Sequence, residues 1–308
     1  MAWIVKKHEA SLTDYGTYPG ARSIKDYVDN GIIILDKPSG PTCNQIDTWV
    51  KEILNINKCS HAGTLDPRAT GVLVIAIENA TKLMPIMLSS KKEYVGIMYL
   101  HKDVDQEKIR KVFDDFVGKV KQLPPLKSAV ARRERIREIY YLEIIEIEGR
   151  NILFKVGCQA GFYVRRLAVD IGERLGVKSH LKELRRTKSG NFEEKDMITL
   201  QGLMDGVAQN KVKEVVKPME IAMEKTRKVI VFDTTVDNVC NGSPLYTGGI
   251  ARLEDNIKKG EWVAVFSNKG ELIAIGKSCM KSKDMAKKKG IAVKIDRVLM
   301  KKGTYPKQ

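Results

Sequence analysis

Residues 61–77 read HAGTLDPRATGVLVIAI, in which one acid, Asp66, separates a turn of small residues from a long apolar run. Asp66 directly precedes Pro67, and a residue before proline is biased toward extended backbone. The run from Gly71 to Ile77 has the length and the branched side chains of a buried strand. The stretch therefore predicts a carboxylate at the entrance to a buried strand.

The chain on either side alternates between strand and helix patterns. Residues 30–37 and 91–100 are typical of strands, and residues 140–160 predict a hairpin around a Gly-Arg-Asn turn. Helical spacing of apolar residues predicts helices over 42–56, 106–116 and 162–175, the last ended by Gly176. This mixture predicts an α+β fold, a mixed and mainly antiparallel sheet with helices laid on it.

The pattern changes near residue 226. From Lys228 onward short strands punctuated by glycine dominate, as in a small β-rich barrel or sandwich. We therefore predict a first domain over residues 1–226, which includes an N-terminal arm at 1–27. The second, β-rich domain is predicted over residues 227–302.

Charge indicates a polyanionic partner. Lys and Arg number 54 against 38 acids in 308 residues, so the net charge is +16. Basic residues concentrate in runs at 127–137 and 281–290, each of which could instead be a solvated surface. The candidate RNA contacts of the first run are Lys127, Arg132, Arg133 and Arg135. A membrane surface is the weaker alternative, because no apolar run approaches the roughly 18 residues of a spanning helix.

Cysteine usage and the N-terminus bear on location and metal binding. The five cysteines are odd in number, widely spaced and without a C-x-x-C pair, which disfavours a disulfide framework or a structural zinc site. The N-terminus carries charges where a signal peptide would be apolar. We expect a cytoplasmic protein, or a nucleolar one if the source is eukaryotic.

Asp66 by itself has two interpretations. Asp next to Pro and Gly commonly forms a turn-stabilising hydrogen bond with nearby backbone, and that is the ordinary explanation. A reactive carboxylate is the alternative, and other stretches of the chain favour it.

Six stretches resemble, in order, the motifs of the TruB/dyskerin family of pseudouridine synthases. Residues 63–71, GTLDPRATG, match the family's G-T-L-D-P-x-A-T-G core in full. The other five are LDKPSGPT (35–42), KKEYVG (91–96), QLPPLKSAVARRERIREIY (122–140), GFYVRRL (161–167) and LKELRRTKSGNF (181–192). Two positions depart from the usual pattern: Ala131 stands where many relatives have Lys, and Phe162 where small or hydroxyl residues are frequent.

The likeness is greatest to the archaeal and eukaryotic dyskerin branch, whose members depend on guide RNA. The strand at 91–100 leads directly into the 106–116 helix, without room for the long RNA-gripping insertion of the bacterial branch. The N-terminal arm is also a feature of this branch. Residues 228–302 resemble a PUA domain, notably NGSPLYTGGIARL (241–253) and GIAVKIDRVLM (290–300).

The resemblance implies a role for each matching side chain. Asp66 corresponds to the catalytic aspartate, Tyr94 to the aromatic residue that stacks on the extruded uracil, and Arg165 to the arginine paired with the aspartate. Tyr163 and Leu184 correspond to pocket walls. Lys37 corresponds to a lysine that supports the site, and His61 to a histidine that helps displace the target base.

The chemistry of uridine isomerisation is consistent with these roles. The base must leave its stack, detach from the sugar, rotate and rejoin through carbon, which favours a closed, mostly apolar pocket with an aromatic face such as Tyr94. Without the resemblance, Tyr94 could equally be a core aromatic of a strand. Asp66 could attack the sugar or the pyrimidine ring, or remove a sugar proton, and no metal or redox cofactor is expected. An adjacent Arg165 would keep the carboxylate ionised against the effect of burial.

Three functions compete at this point. The first is the catalytic subunit of a box H/ACA guide ribonucleoprotein that modifies rRNA or tRNA, with guide RNA and small accessory proteins as the partners that the resemblance implies. The second is a stand-alone tRNA pseudouridine synthase. The third is a non-catalytic RNA scaffold, which the complete Asp66, Tyr94 and Arg165 set disfavours.

Overall fold

The protein is described here by a computed structural model that covers residues 2–7, 14–123 and 133–307. The strands of the first sheet are β2 (Gly31–Lys37), β3 (Cys59–His61), β4 (Thr70–Ile77), β5 (Lys92–Leu100), β6 (Gly118–Gln122), β7 (Arg135–Glu148), β8 (Asn151–Cys158), β9 (Ser179–Ser189), β10 (Phe192–Glu193) and β11 (Lys217–Pro218). They follow the order β11-β2-β4-β9-β5-β8-β7-β6, while β3 pairs with β4 and β10 with β9.

The second sheet contains strands from both ends of the chain. Its members are β1 (Trp3–Val5), β12 (Arg227–Val231), β13 (Leu245–Tyr246), β14 (Ile250–Glu254), β15 (Trp262–Phe266), β16 (Leu272–Ser278) and β17 (Ile291–Val298), in the order β1-β14-β12-β15-β16-β17-β13. Among the strands that the structure describes, β4 pairs in parallel with β9 and β12 with β15. The predicted α+β fold, with a mainly antiparallel first sheet and a small β-rich second unit, is confirmed.

The helices cover the faces and ends of the sheets. They are α1 (Ile24–Asp29), α2 (Cys43–Leu54), α3 (Met84–Leu88), α4 (Gln106–Asp115), α5 (Val164–Leu175), α6 (Leu200–Ala208), α7 (Val212–Val215), α8 (Asp233–Cys240) and α9 (Ser282–Lys287). In the described part of the chain, 3₁₀ segments occur at Pro19–Ala21, Glu78–Leu83, Glu194–Asp196, Met219–Met223 and Thr247–Gly249. No helix within the described ranges is both long and apolar enough to cross a bilayer.

The local signals at the ends of α2 and α5 explain where these helices begin and end. Thr42 caps α2 in a reciprocal pair with Gln45, whose backbone N–H donates to the Thr42 hydroxyl while its side chain accepts from the Thr42 N–H. Helix α5 ends at Gly176, which takes the left-handed conformation that glycine adopts without strain. These boundaries agree with the ones that the sequence predicts.

Strands β2 and β4 contain continuous apolar runs, at residues 32–35 and 72–77, because both of their faces are covered. Odd-numbered residues such as Ile33 and Leu73 pack with α2 and α5, in a core that also contains Ile46, Val50, Leu167 and Ile171. Even-numbered residues such as Ile32 and Val72 pack against the second unit, in a core that also contains Ile230, Phe266, Leu272 and Ile275. A sheet buried on both sides produces a continuous apolar run rather than alternation.

The N-terminal arm connects the two units. Strand β1 pairs antiparallel with β14, so residues 3–5 belong to the C-terminal sheet rather than to the first domain with which the sequence grouped them. Further along the arm, Arg22 forms a bidentate ion pair with Glu220, at 2.7 and 3.0 Å, and the Leu272 N–H donates to the same carboxylate. Pairing across some 250 residues leaves no local sequence signal, which explains the difference.

Candidate active site

Asp66 lies on the loop that joins β3 to β4, at the end of the first sheet. Its carboxylate forms an ion pair with the guanidinium of Arg165, in the first turn of α5. The Asp66 side chain is 48 % exposed and that of Arg165 is 51 % exposed, so both remain accessible from solvent. The carboxylate therefore contacts an arginine that is distant in the chain, as the resemblance implied. An aspartate that only stabilised a local turn would not need this partner.

The backbone of this loop is fixed from below by Lys37. The Lys37 side chain is completely buried, and its Nζ donates to the carbonyl oxygens of Pro38, Pro67 and Ala69 at 2.9, 2.9 and 3.0 Å. Burial lowers the pKa of Lys37, and the Asp66 carboxylate partly opposes that change. Because an ammonium group has three donors, Lys37 is fully used in joining the turn at Pro38 to the residues that follow Asp66.

Arg186 fixes the two ends of the same loop. Its Nε donates to the Val72 carbonyl at 2.7 Å and its Nη2 to the Gly63 carbonyl at 3.0 Å, and the side chain is 1 % exposed. The backbones also approach closely here, because β4 pairs in parallel with β9 beside Arg186. A Cβ at Gly71 would lie 2.3 Å from the Arg186 carbonyl oxygen, which requires glycine at that position.

Tyr94 is the aromatic residue that the resemblance assigns to the site, and that role stays a prediction. It lies on β5 opposite Arg186 of β9, with 8 % of its surface exposed. Burial raises the pKa of the Tyr94 hydroxyl, Asp66 adds to the rise, and Arg186 opposes it. The phenol is therefore neutral at physiological pH and lies within electrostatic range of both Asp66 and Arg186.

The start of α5 is anchored through Tyr163. The Tyr163 N–H donates to the side-chain oxygen of Gln122 at 3.0 Å, and the Gln122 amide donates back to the Tyr163 carbonyl at 3.1 Å. Gln122 is 3 % exposed, so this pair fixes the first turn of the helix that carries Arg165. The next residue, Arg166, faces away and pairs with Asp170 at 2.5 Å and Glu173 at 3.1 Å.

Comparisons with known proteins agree with this geometry over almost the whole chain. The N-terminal domain of the TruB family pseudouridylate synthases matches residues 51–107 and 100–164, and the C-terminal domain of tRNA pseudouridylate synthase B matches residues 165–224. A DKCLD (NUC011) domain matches residues 2–46 and a PUA domain residues 227–299. The chain is 47 % identical to the probable tRNA pseudouridine synthase B of Methanocaldococcus jannaschii, with 99 % of this chain and 93 % of that protein covered.

This chain belongs to the TruB family. A second relative, the probable tRNA pseudouridine synthase B of Archaeoglobus fulgidus, is 46 % identical over 98 % of this chain and 96 % of its own length. Among solved structures, the fold matches a chain of a Cbf5-Nop10-Gar1 complex with a TM-score of 0.94, at 44 % identity, and covers 100 % of this chain and 96 % of that one. A chain of an H/ACA RNP bound to a substrate RNA containing 2'-deoxyuridine matches with a TM-score of 0.92, at 41 % identity, over 99 % and 96 %. The predicted resemblance to the dyskerin type is thereby confirmed.

The structure places the remaining candidate residues of this TruB-family site as follows. Leu184 is half-buried on β9, beside Gly96 of β5, and packs at the edge of the first core. His61 ends β3, with Nδ1 2.7 Å from an Asp47 carboxylate oxygen and Nε2 3.2 Å from the Thr64 hydroxyl. His61 borders the loop that carries Asp66, and the roles that the resemblance implies for His61 and Leu184 stay predictions.

The predicted RNA contacts are only partly described. Lys127 and Arg132 lie outside the described residues, as does Ala131. Arg133 is exposed and Arg135 is half-buried at the start of β7, an outer strand of the first sheet. Their contact with RNA therefore stays a prediction.

Two features of the site differ from the expectations. The Asp66 carboxylate is half-exposed, whereas the chemistry suggested a closed pocket around it. Sequence reasoning also gave no role to Arg186. Side chains alternate along a strand, so Arg186 shares a face of β9 with Leu184, and that spacing was the available signal.

Proposed function

We propose that this chain is an RNA pseudouridine synthase that isomerises target uridines as the catalytic subunit of a box H/ACA guide ribonucleoprotein. The observation that carries this proposal is the Asp66–Arg165 ion pair, which joins two of the matched motifs and is accessible from solvent. The match to a chain of an H/ACA RNP bound to substrate RNA covers 99 % of this chain, and it supports the assignment to such a particle.

The geometry provides what the isomerisation requires. The bond between the sugar and the ring nitrogen breaks, the base turns, a bond to ring carbon C5 forms, and the C5 proton is lost while N1 gains one. Asp66 supplies the reacting carboxylate, which the guanidinium of Arg165 holds in place. Attack on the sugar, attack on the ring and removal of a sugar proton all begin from this same carboxylate.

The remaining side chains hold the base and the loop. A flipped uracil needs a flat apolar surface while it is detached, and the mostly buried ring of Tyr94 is our candidate for that surface. Lys37 and Arg186 keep the backbone on both sides of Asp66 from moving as the base rotates. Placing a reacting group in advance is worth several orders of magnitude in rate.

The matched structures and the net charge of the chain indicate its partners. We infer that box H/ACA guide RNA presents the substrate rRNA or tRNA, and that small accessory proteins like the Nop10 and Gar1 of the matched complexes bind this chain. A net charge of +16 suits a chain that neutralises phosphates. Guide-free action on tRNA is the second candidate, because the matched archaeal relatives are named as probable tRNA pseudouridine synthases.

The experiment that tests this function adds guide RNA, target RNA and accessory proteins to the full chain one at a time. Pseudouridine is detected by mass labelling after each addition. We expect isomerisation of a guide-matched target only when the guide is present. Equal product with and without guide would reject the particle assignment, and product on tRNA alone would favour the second candidate. No product in the complete mixture would reject the enzymatic function.

A further inference from the structure

Helix α2 contacts the catalytic loop through two residues that share one face. Cys43 and Asp47 are four residues apart, one turn of the helix. The buried Cys43 thiol accepts from the Leu65 N–H at 3.2 Å and donates to the Leu65 carbonyl at 3.4 Å. Asp47 reaches the other end of the same segment, at His61. The face therefore holds the stretch from His61 to Leu65, directly before Asp66.

The Asp47 carboxylate receives hydrogen bonds from two residues of β3. Cys59 and His61 are two apart on this strand, so both side chains face α2. The Cys59 Sγ lies 3.7 Å from Oδ1, and the His61 Nδ1 lies 2.7 Å from Oδ2. Burial, and next the Asp47 charge, raise the pKa of Cys59, so the group stays a thiol and donates.

These contacts determine the state and the orientation of the His61 ring. A carboxylate can only accept hydrogen bonds, so the Nδ1 that faces Asp47 carries a proton. The other ring nitrogen, Nε2, then points at the Thr64 hydroxyl, 3.2 Å away and two residues before Asp66. The His61 and Asp47 side chains are each only 14 % exposed, which leaves the ring little room to turn.

We propose that Asp47 is a positioning residue for uridine isomerisation: it fixes the His61 ring so that Nε2 and the Thr64 hydroxyl form a rigid polar edge beside Asp66. This inference rests on the proposed function and on the role that the resemblance implies for His61. The polar edge would contact the target nucleotide as its base leaves the RNA stack. An imidazole that turned freely would lose rotational freedom on making that contact, and Asp47 removes this cost by fixing the ring beforehand. Asp47 thus acts before the chemical step and through His61.

The test compares Asp47→Ala with His61→Ala in the complete particle. Base displacement is followed by the fluorescence of 2-aminopurine placed next to the target uridine, and isomerisation by single-turnover product formation. We expect Asp47→Ala to slow base displacement roughly 10-fold, the size of effect that losing one charge-assisted hydrogen bond produces. RNA affinity should change much less, since the polar edge orders the nucleotide after the RNA has bound.

A double-mutant cycle separates positioning from a merely structural contact. Asp47→Ala should add nothing in a His61→Ala background, because its whole effect passes through the imidazole. Asp47→Asn keeps an oxygen that can accept from Nδ1–H, so we expect it to remain within about threefold of the wild type. Glu52→Ala, which removes an exposed acid from the same helix, is the matched control and should change nothing.

Three results would overturn the proposal. They are an unchanged base-displacement rate in Asp47→Ala, additive effects of Asp47→Ala and His61→Ala, and an Asp47→Asn variant as slow as His61→Ala. If Asp47→Ala loses stability, the base-displacement rate of Asp47→Asn still tests the proposal. A wild-type particle that forms no pseudouridine would instead reject the proposed function itself, so the two failures are distinguishable.

Discussion

The loop that carries Asp66 contacts basic side chains on both its lower and its upper side, but the two sides differ in their exposure to solvent. On the lower side two buried cations, Lys37 and Arg186, bind backbone carbonyls of the loop and its flanks. On the upper side Arg165 binds the Asp66 carboxylate, and both side chains are about half-exposed. The lower side is closed to solvent and the upper side is open to it.

This difference separates stability from chemistry. A buried donor that satisfies carbonyl oxygens cannot be removed without leaving those groups unpaired, which costs free energy of unfolding. An exposed ion pair contributes at most about 1 kcal/mol, because water solvates either partner once the other is gone. We therefore expect variants of the lower side to lose stability together with activity, and variants of the upper side to lose activity alone.

The largest combined effect is expected for Lys37→Met. The methionine fills the space but leaves the carbonyls of Pro38, Pro67 and Ala69 without their donor, which should lower the free energy of unfolding by roughly 2–4 kcal/mol. The displaced loop should reduce isomerisation on the order of 100-fold. Chemical denaturation and single-turnover product formation measure the two quantities. A variant as stable and as active as the wild type would remove the distinction between the two sides.

Arg165→Ala should affect activity without stability. Loss of the guanidinium leaves Asp66 without its charge partner, and we expect isomerisation to fall roughly 100-fold, as for removal of one preorganised charge partner in an active site. The free energy of unfolding should change by less than about 1 kcal/mol.

The adjacent Arg166→Ala is the matched control for that variant. It removes the same side chain from the same helix, but its partners are Asp170 and Glu173 rather than Asp66. We expect near wild-type rates. Equal losses of activity in the two variants would show that Arg165 has no special relation to Asp66.

The last prediction, a pH dependence, concerns Lys92, a third buried basic side chain near the loop. Its Nζ donates to Ser90 Oγ at 2.6 Å and to the Ser90 carbonyl at 3.1 Å. Burial, and next the charge of Arg186, lower the pKa of Lys92 from 10.5 to about 7. Between these values the unfolded chain binds the proton that the folded chain has released, so this group makes the free energy of unfolding rise with pH. Below pH 7 the full cost of burying the charge is present.

Lys92→Met should abolish this contribution. Relative to the variant, the wild type should gain stability from pH 7 to pH 10, by up to ~1.4 kcal/mol per pH unit. Denaturation midpoints of both proteins across this range measure the difference, and other titrating groups cancel in the comparison. Parallel profiles would contradict the lowered pKa.

The sequence predicts the contact between Asp66 and Arg165 and points to Lys37, because all three lie in motifs that the resemblance covers. Arg186 lies in such a motif too, but strand alternation shows only the face of β9 that it shares with Leu184, and its partners Gly63 and Val72 are more than 100 residues away. Asp47 binds His61 across a helix–strand contact, and no local pattern marks such a pair. The pairing of β1 with β14 escaped prediction for the same reason, since it joins residues 3–5 to residues 252–254.

The central claim, that the Asp66 carboxylate performs the chemistry while the loop merely presents it, is tested most directly by Asp66→Asn. The substitution keeps the shape and removes the charge. In the complete particle with guide and target, we measure pseudouridine by mass labelling and RNA affinity by titration. The account predicts no detectable pseudouridine with RNA affinity and the free energy of unfolding near their wild-type values. Continued turnover by Asp66→Asn would contradict it.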